Sequence, residues 1–190
     1  MPSFPTLRIL AISGSLRAAS SNTALLRAAA ALAPEDMEVV LYGGLGDLPH
    51  FNPDLEGAAP PAVIELWARV READGLLIAC PEYAHGVPGA MKNALDWLVG
   101  GDEFIRKPVA LLNASPRATH AQASLAETIR TMSGRIVAEA SIAVPLLGKS
   151  FDAAGLAANP EIAAALREAL AAFARAIEAF REEDAALYGV

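Results

Sequence analysis

The chain has 190 residues, 54% of them apolar and 19% charged, enough to bury a substantial core within one domain and too apolar for disorder beyond the ends. A formal charge of −7 without a basic stripe argues against a nucleic-acid surface, and the apolar runs are too short to span a bilayer. The single cysteine, Cys80, makes no internal disulfide, and His50, His85 and His120 stand apart with no cysteine-rich or HExxH setting, so no metal site is expected.

The opening Met1-Pro2-Ser3-Phe4-Pro5 lacks the basic-then-apolar layout of a signal peptide, which with the lone cysteine predicts a cytoplasmic protein. Residues 7–12 form a short apolar run of the kind found in buried parallel strands. After the turn Ser13-Gly14-Ser15-Leu16-Arg17-Ala18-Ala19-Ser20-Ser21-Asn22, the residues Leu25, Leu26, Ala29 and Leu32 repeat at helical spacing. A helix start leaves backbone N–H groups pointing outward, and hydroxyls, a carboxamide and the Arg17 guanidinium add donors suited to phosphate oxygens. The same residues equally suit a plain helix cap, with Gly14 making the turn and Arg17 in solvent. Neither a Walker loop nor the G-x-G-x-x-G fingerprint is present.

Pro34-Glu35-Asp36 ends the first helix, and residues 37–42 read as a second strand. Residues 43–59 read as an ordered surface loop, with Pro49, Phe51 and Pro53 in it. Pro60-Pro61 opens a helix with Val63, Leu66, Trp67 and Val70 on its apolar face. Residues 76–80 then form a central strand ending in Pro81-Glu82-Tyr83-Ala84-His85-Gly86-Val87-Pro88-Gly89, and a helix is predicted over 90–99. A fourth strand over 109–113 leads into Ala114-Ser115-Pro116-Arg117-Ala118-Thr119-His120, followed by a weaker helix over 122–132. A fifth strand is predicted over 136–144, at an edge because of Glu139 and Ser141. Residues 148–158 read as a loop, and Asn159-Pro160 caps a last helix whose final residues fray. Strand–helix alternation implies right-handed βαβ units and a parallel sheet covered on both faces. Ligands of such sheets bind beyond the carboxyl ends of the strands, where the loops after strands one, three and four meet.

Three stretches carry a resemblance. Gly14-Ser15-Leu16-Arg17-(x)2-Ser20-x-Asn22, then Leu48-Pro49-x-Phe51-Asn52-x-Asp54-Leu55, then Pro81-Glu82-Tyr83-x-His85-(x)2-Pro88-Gly89-(x)2-Lys92-Asn93-Ala94-Leu95-Asp96-Trp97 resemble the NADPH-dependent FMN reductase family, which includes chromate and quinone reductases. The resemblance implies one flavodoxin-like domain over residues 1–190, an α/β three-layer sandwich with a five-stranded parallel sheet of order 2-1-3-4-5. It further implies an enzyme in which FMN takes hydride from NADPH or NADH and passes electrons to a quinone, flavin, azo compound or chromate by ping-pong, in a homodimer or homotetramer.

Position by position, Ser15, Arg17, Ser20 and Asn22 match the family's FMN-phosphate loop, with the Leu16 and Thr23 backbones contributing. Pro81, Glu82, Tyr83, Ala84 and His85 match the loop beside the isoalloxazine ring, and Ser115 matches the start of a third flavin-side loop. No catalytic side chain is implied, since the cofactor supplies the hydride chemistry. On this reading Glu82 shapes its loop, His85 either donates to substrate or is solvated, and Arg117 attracts the NADPH 2′-phosphate. Lys92, Asn93, Asp96 and Trp97 are structural or interfacial, and Cys80 is a small buried residue. Two positions depart from the family: Ala84 stands where Asn is usual, and Arg117-Ala118-Thr119-His120 replaces a glycine-rich segment, which narrows the space beside a flat ring. A flavodoxin-like electron carrier or a non-catalytic binding protein on the same fold are the rival readings. A low-molecular-weight tyrosine phosphatase is excluded, because the first loop has no cysteine.

Overall fold

The computed structural model describes residues 6–146 and 152–189. Its parallel sheet runs β2-β1-β3-β4-β5, where β1 is Leu7–Ser13, β2 Met37–Leu41, β3 Gly75–Ala79, β4 Pro108–Asn113 and β5 Arg135–Ile136. This is the order that the resemblance implies. Both β3 and β4 are buried along their whole length, so their side chains divide by the two-residue period of a strand rather than by polarity. Leu77, Ala79, Ala110 and Leu112 enter one core, against α1 (Ser21–Ala31), α5 (Ala153–Ala158) and α6 (Pro160–Tyr188). Leu76, Ile78, Val109 and Leu111 enter the other, against α2 (Pro61–Glu72), α3 (Gly89–Val99) and α4 (Thr119–Thr131). The three layers follow from that split.

Two expectations need correction. The predicted strand over 136–144 is broken: β5 stops at Ile136, a 3₁₀ turn occupies Ala138–Ala140, and β6 (Ile142–Ala143) resumes pairing with β4. The reason lies in Ser141, whose hydroxyl accepts from Leu111 N–H at 3.0 Å and donates to the Val137 carbonyl at 2.8 Å. A side chain thus satisfies a β4 donor that a continuous strand would otherwise pair. The predicted loop over 148–158 contains α5, capped by Asp152, whose carboxylate accepts from Gly155 N–H at 2.8 Å; residues 148–151 lie outside the described residues.

Smaller adjustments have local causes. Helix α4 begins at Thr119, three residues before the predicted start. Helix α6 is capped by Asn159 as expected, and it runs to Tyr188. Its last turns are held by charge: Arg106 and Arg135 pair with Asp184, and Arg181 reaches Asp74 at 2.7 Å. The loop after β2 is ordered, with 3₁₀ turns at Gly44–Asp47 and Pro53–Ala58. It is fastened to α3 by Asn93, which accepts from Phe51 N–H at 2.8 Å and donates to the Pro49 carbonyl at 3.0 Å. The buried Trp97 indole donates to the same carbonyl at 2.8 Å and meets the Phe51 ring edge-on at 5.1 Å. These two residues of the third motif therefore serve the fold. Among the described residues no helix is long and apolar enough to cross a membrane.

Candidate functional site

The loops that follow β1, β3 and β4 converge at the carboxyl ends of those strands around a cleft of 420 Å³. Of the residues singled out in the sequence, Ser15, Arg17, Ser20, Asn22, Pro81, Glu82, Tyr83 and Ser115 line it, as does Arg117. Leu16, Thr23, Ala84 and His85 do not. Leu16 is exposed and lies over Gly46, while the Thr23 hydroxyl hydrogen-bonds Ser13 Oγ at 2.8 Å.

The first loop is shaped by close packing and by its own hydroxyls. A Cβ at Gly14 would stand 2.6 Å from Cys80 Sγ, so only glycine lets this turn pass over the end of β3. Ser15 N–H donates to Ser13 Oγ at 3.3 Å, and Arg17 N–H donates to Ser15 Oγ at 3.4 Å. Ser20, in extended conformation, caps α1 by accepting from Thr23 N–H at 3.3 Å. The capping role is therefore real, and it commits the Thr23 amide. It leaves the amides of Ser21 and Asn22 with no acceptor among the described residues. Asn22 is only 8% exposed, yet its carboxamide oxygen has no partner. An unpartnered buried acceptor costs about 1–3 kcal/mol, which a hydrogen-bond donor on a ligand, not an anionic oxygen, relieves. Arg17 forms no ion pair with a carboxylate among the described residues. Open helix-start amides and a guanidinium without a carboxylate partner thus share one cleft, the donor set of an anion site.

The second loop contains two backbone conformations that side chains disfavour. Tyr83 and Gly86 exchange backbone hydrogen bonds of 3.1 and 3.0 Å, and the two residues between them, Ala84 and His85, have φ of 50° and 59°. This is the geometry of a tight turn that normally carries Asn or Gly. The turn exposes Tyr83 at the cleft and sends His85 to stack on His120, with ring centroids 4.4 Å apart and planes 22° from parallel. Glu82 accepts from Ala121 N–H at 2.8 Å, inside the first turn of α4.

In the third loop, the absence of glycine is met by side chains. The buried Asn113 accepts from Ser115 N–H at 2.9 Å, and Ser115 Oγ accepts from Arg117 N–H at 3.3 Å. These two local bonds turn the chain without a left-handed residue. Sequence reasoning missed Ala19, Ser21, Ala114, Ala118 and Leu146 in the lining, and treated Cys80 as core only. The small residues flank motifs already recognised and carry no chemical signal of their own. Leu146 follows the broken fifth strand, which a prediction of one continuous strand could not locate. Burial pushes the Cys80 thiol up to about 12, so it stays protonated at neutral pH and is no nucleophile.

The description NADPH-dependent FMN reductase belongs to the family model that matches residues 7–147. The chain belongs to this family. An NAD(P)H-dependent FMN reductase of Pseudomonas aeruginosa is 35% identical over 155 residues, covering 78% of this chain and 83% of the relative. A quinone reductase of Escherichia coli K12 is 36% identical over 113 residues, covering 57% of this chain and 60% of that protein. Among solved structures, the flavoenzyme NAD(P)H:(acceptor) oxidoreductase of Paracoccus denitrificans superposes with a TM-score of 0.74 at 30% identity, over 91% of this chain and 98% of that one. This reductase is accordingly an NAD(P)H-dependent FMN oxidoreductase on a flavodoxin-like fold.

Proposed function

We propose that the cleft binds FMN with its phosphate at the start of α1 and its ring beside the two later loops, and that both substrates use the open side of the cleft in turn. The observation that carries this reading is the pair of open Ser21 and Asn22 amides at the start of α1, which share the cleft with Arg17, a guanidinium that forms no ion pair among the described residues. Bound FMN supplies hydride acceptance from NAD(P)H and electron delivery to an oxidised acceptor. Arg17 neutralises the phosphate. The hydroxyls of Ser15 and Ser20, engaged as acceptors within the loop, keep their O–H groups to donate. Leu16 contributes its backbone, and Thr23 acts by holding Ser13 and the cap. Pro81, Glu82, Tyr83, Ala84, His85 and Ser115 form the walls beside the ring, and Arg117 supplies a second cation for the cosubstrate phosphate.

A cleft of this volume suits small acceptors: quinones, free flavin, azo compounds, and chromate as a compact oxyanion. The chain works as a single cytoplasmic domain over residues 1–190, assembled as a homodimer or homotetramer. The test is a visible spectrum with and without added FMN, followed by NADPH and NADH consumption with a quinone. FMN-dependent turnover with parallel double-reciprocal lines is expected. Protein that takes up no FMN in titration refutes the proposal, and a yellow protein inert to both nucleotides is an electron carrier instead.

A further inference from the structure

Helix α4 has no cap of its own. The residue before it, Ala118, offers only a methyl group, and no side chain from that loop bonds the first-turn amides. The missing acceptor comes from the other wall of the cleft. Glu82 lies 39 residues earlier in the sequence, and its Oε2 takes Ala121 N–H at 2.8 Å. A carboxylate placed there also meets the positive end of the helix. Both Glu82 and Ala118, the residue before the helix, line the cleft, so the bond joins the loop after β3 to the helix that follows the loop after β4. A second tie lies beside the first: His85, three residues after Glu82, stacks on His120, the neighbour of Ala121. The strained backbone at Ala84 and His85 is what delivers that ring.

We propose that Glu82 is a positioning residue: by capping α4 from across the cleft it fixes the spacing between the loops after β3 and β4, and so sets where an acceptor meets the flavin ring. This rests on the proposed placement of FMN, but the clasp itself belongs to the chain alone. One oxygen of its carboxylate is engaged by a backbone amide, and the His85–His120 stack holds the two loops together beside it.

Glu82→Ala removes the acceptor and the charge, whereas Glu82→Gln keeps an oxygen that accepts from Ala121 N–H. In the flavin-free protein, hydrogen exchange at residues 119–123 is expected to speed up about ten-fold for Glu82→Ala and to stay close to wild type for Glu82→Gln, as the loss of one capping bond predicts. In the FMN-loaded enzyme, Glu82→Ala is expected to lower kcat/KM for a quinone about ten-fold with FMN affinity within about three-fold, and Glu82→Gln to restore most of it. His120→Ala, which leaves the cap intact, is expected to raise KM for the quinone with a smaller effect on kcat, and it keeps the test alive if Glu82→Ala fails to fold. Unchanged exchange in Glu82→Ala overturns the clasp. Faster exchange without a change in quinone kinetics overturns the positioning role. Equal losses in Ala and Gln variants, with both still binding FMN, overturn it in favour of a direct role for the charge. If the wild-type chain binds no FMN, the proposed function fails while the exchange experiment still decides the clasp.

Discussion

Gly14→Ala tests whether the first loop owes its path to a single close approach. The added methyl would sit 2.6 Å from Cys80 Sγ and 3.4 Å from Cys80 Cα and Cβ. The last two distances are ordinary contact, so the sulfur alone makes the collision, and Cys80, being buried, has little room to turn away. Overpacking of this kind costs about 1–3 kcal/mol. Cys80→Ala alone removes one buried atom and costs about 1 kcal/mol. In the double variant the clash is gone, so the combined loss falls short of the sum by about 1–2 kcal/mol, the coupling expected of residues in contact. Thermal unfolding of the four flavin-free proteins measures this, with each 1 kcal/mol moving Tm by about 2–4 °C for a chain of this size. FMN titration of the same set is expected to follow the pattern, because the clash displaces Ser13 and Ser15, which template the loop. Losses that add to within about 0.5 kcal/mol would refute the reasoning, since the backbone would then absorb the methyl without involving the sulfur.

Arg17→Ala is expected to weaken FMN binding by about 1.5–3 kcal/mol, as for a charge-assisted contact; unchanged affinity by calorimetric titration returns Arg17 to solvent. Ala84→Asn is expected to stabilise the chain by about 1 kcal/mol, because Asn tolerates the left-handed backbone that alanine resists, and Ala84→Gly to gain less through its greater unfolded entropy; no gain in urea midpoint for either contradicts the strain. For Asp184, the hydrogen bond from Arg106, helped by Arg135, holds the folded carboxyl below the usual range. Its unfolded counterpart titrates near about pH 3.9, so this stabilisation is complete above about pH 4 and is lost as pH falls below it, through the folded value. Asp184→Asn is therefore expected to flatten the fall of stability below about pH 4; identical slopes for the two proteins argue against the pairing.

The alternation of apolar runs with amphipathic helices made the sheet readable, because β3 and β4 are buried on both faces and carry one polar residue between them, Asn113 at the very end of β4. The site was legible for a different reason: Gly14, Arg17, Asn22 and Glu82 are unusual residues at strand ends, where a parallel sheet places its ligands. What sequence did not reveal depends on long-range partners. Ser141 looks like an ordinary edge residue until Leu111 N–H is found bonded to it. Glu82 looks like a local loop residue, while its partner belongs to the first turn of α4. Ala84 gives no sign of left-handed backbone, since alanine resists it, and a lone His85 is too weak a signal to mark the turn. The third loop showed its lack of glycine plainly, but the Asn113 and Ser115 bonds that replace it appear only once the turn is built.

The charged fastenings of α6 lie at the opposite end of the sheet from the cleft. Arg106, Asp74 and Arg135 precede or begin strands, and Asp184 and Arg181 tie the helix's last turns to them. The helix runs about 43 Å, enough to brace the sheet from its working end to its far end. Its consequence is a division of tolerance. Side-chain exchanges in the three upper loops leave the lower bracing untouched, because none of its ion pairs involves a residue of those loops. Damage to the bracing works the other way, loosening every loop at once and erasing activity without touching a residue of the cleft.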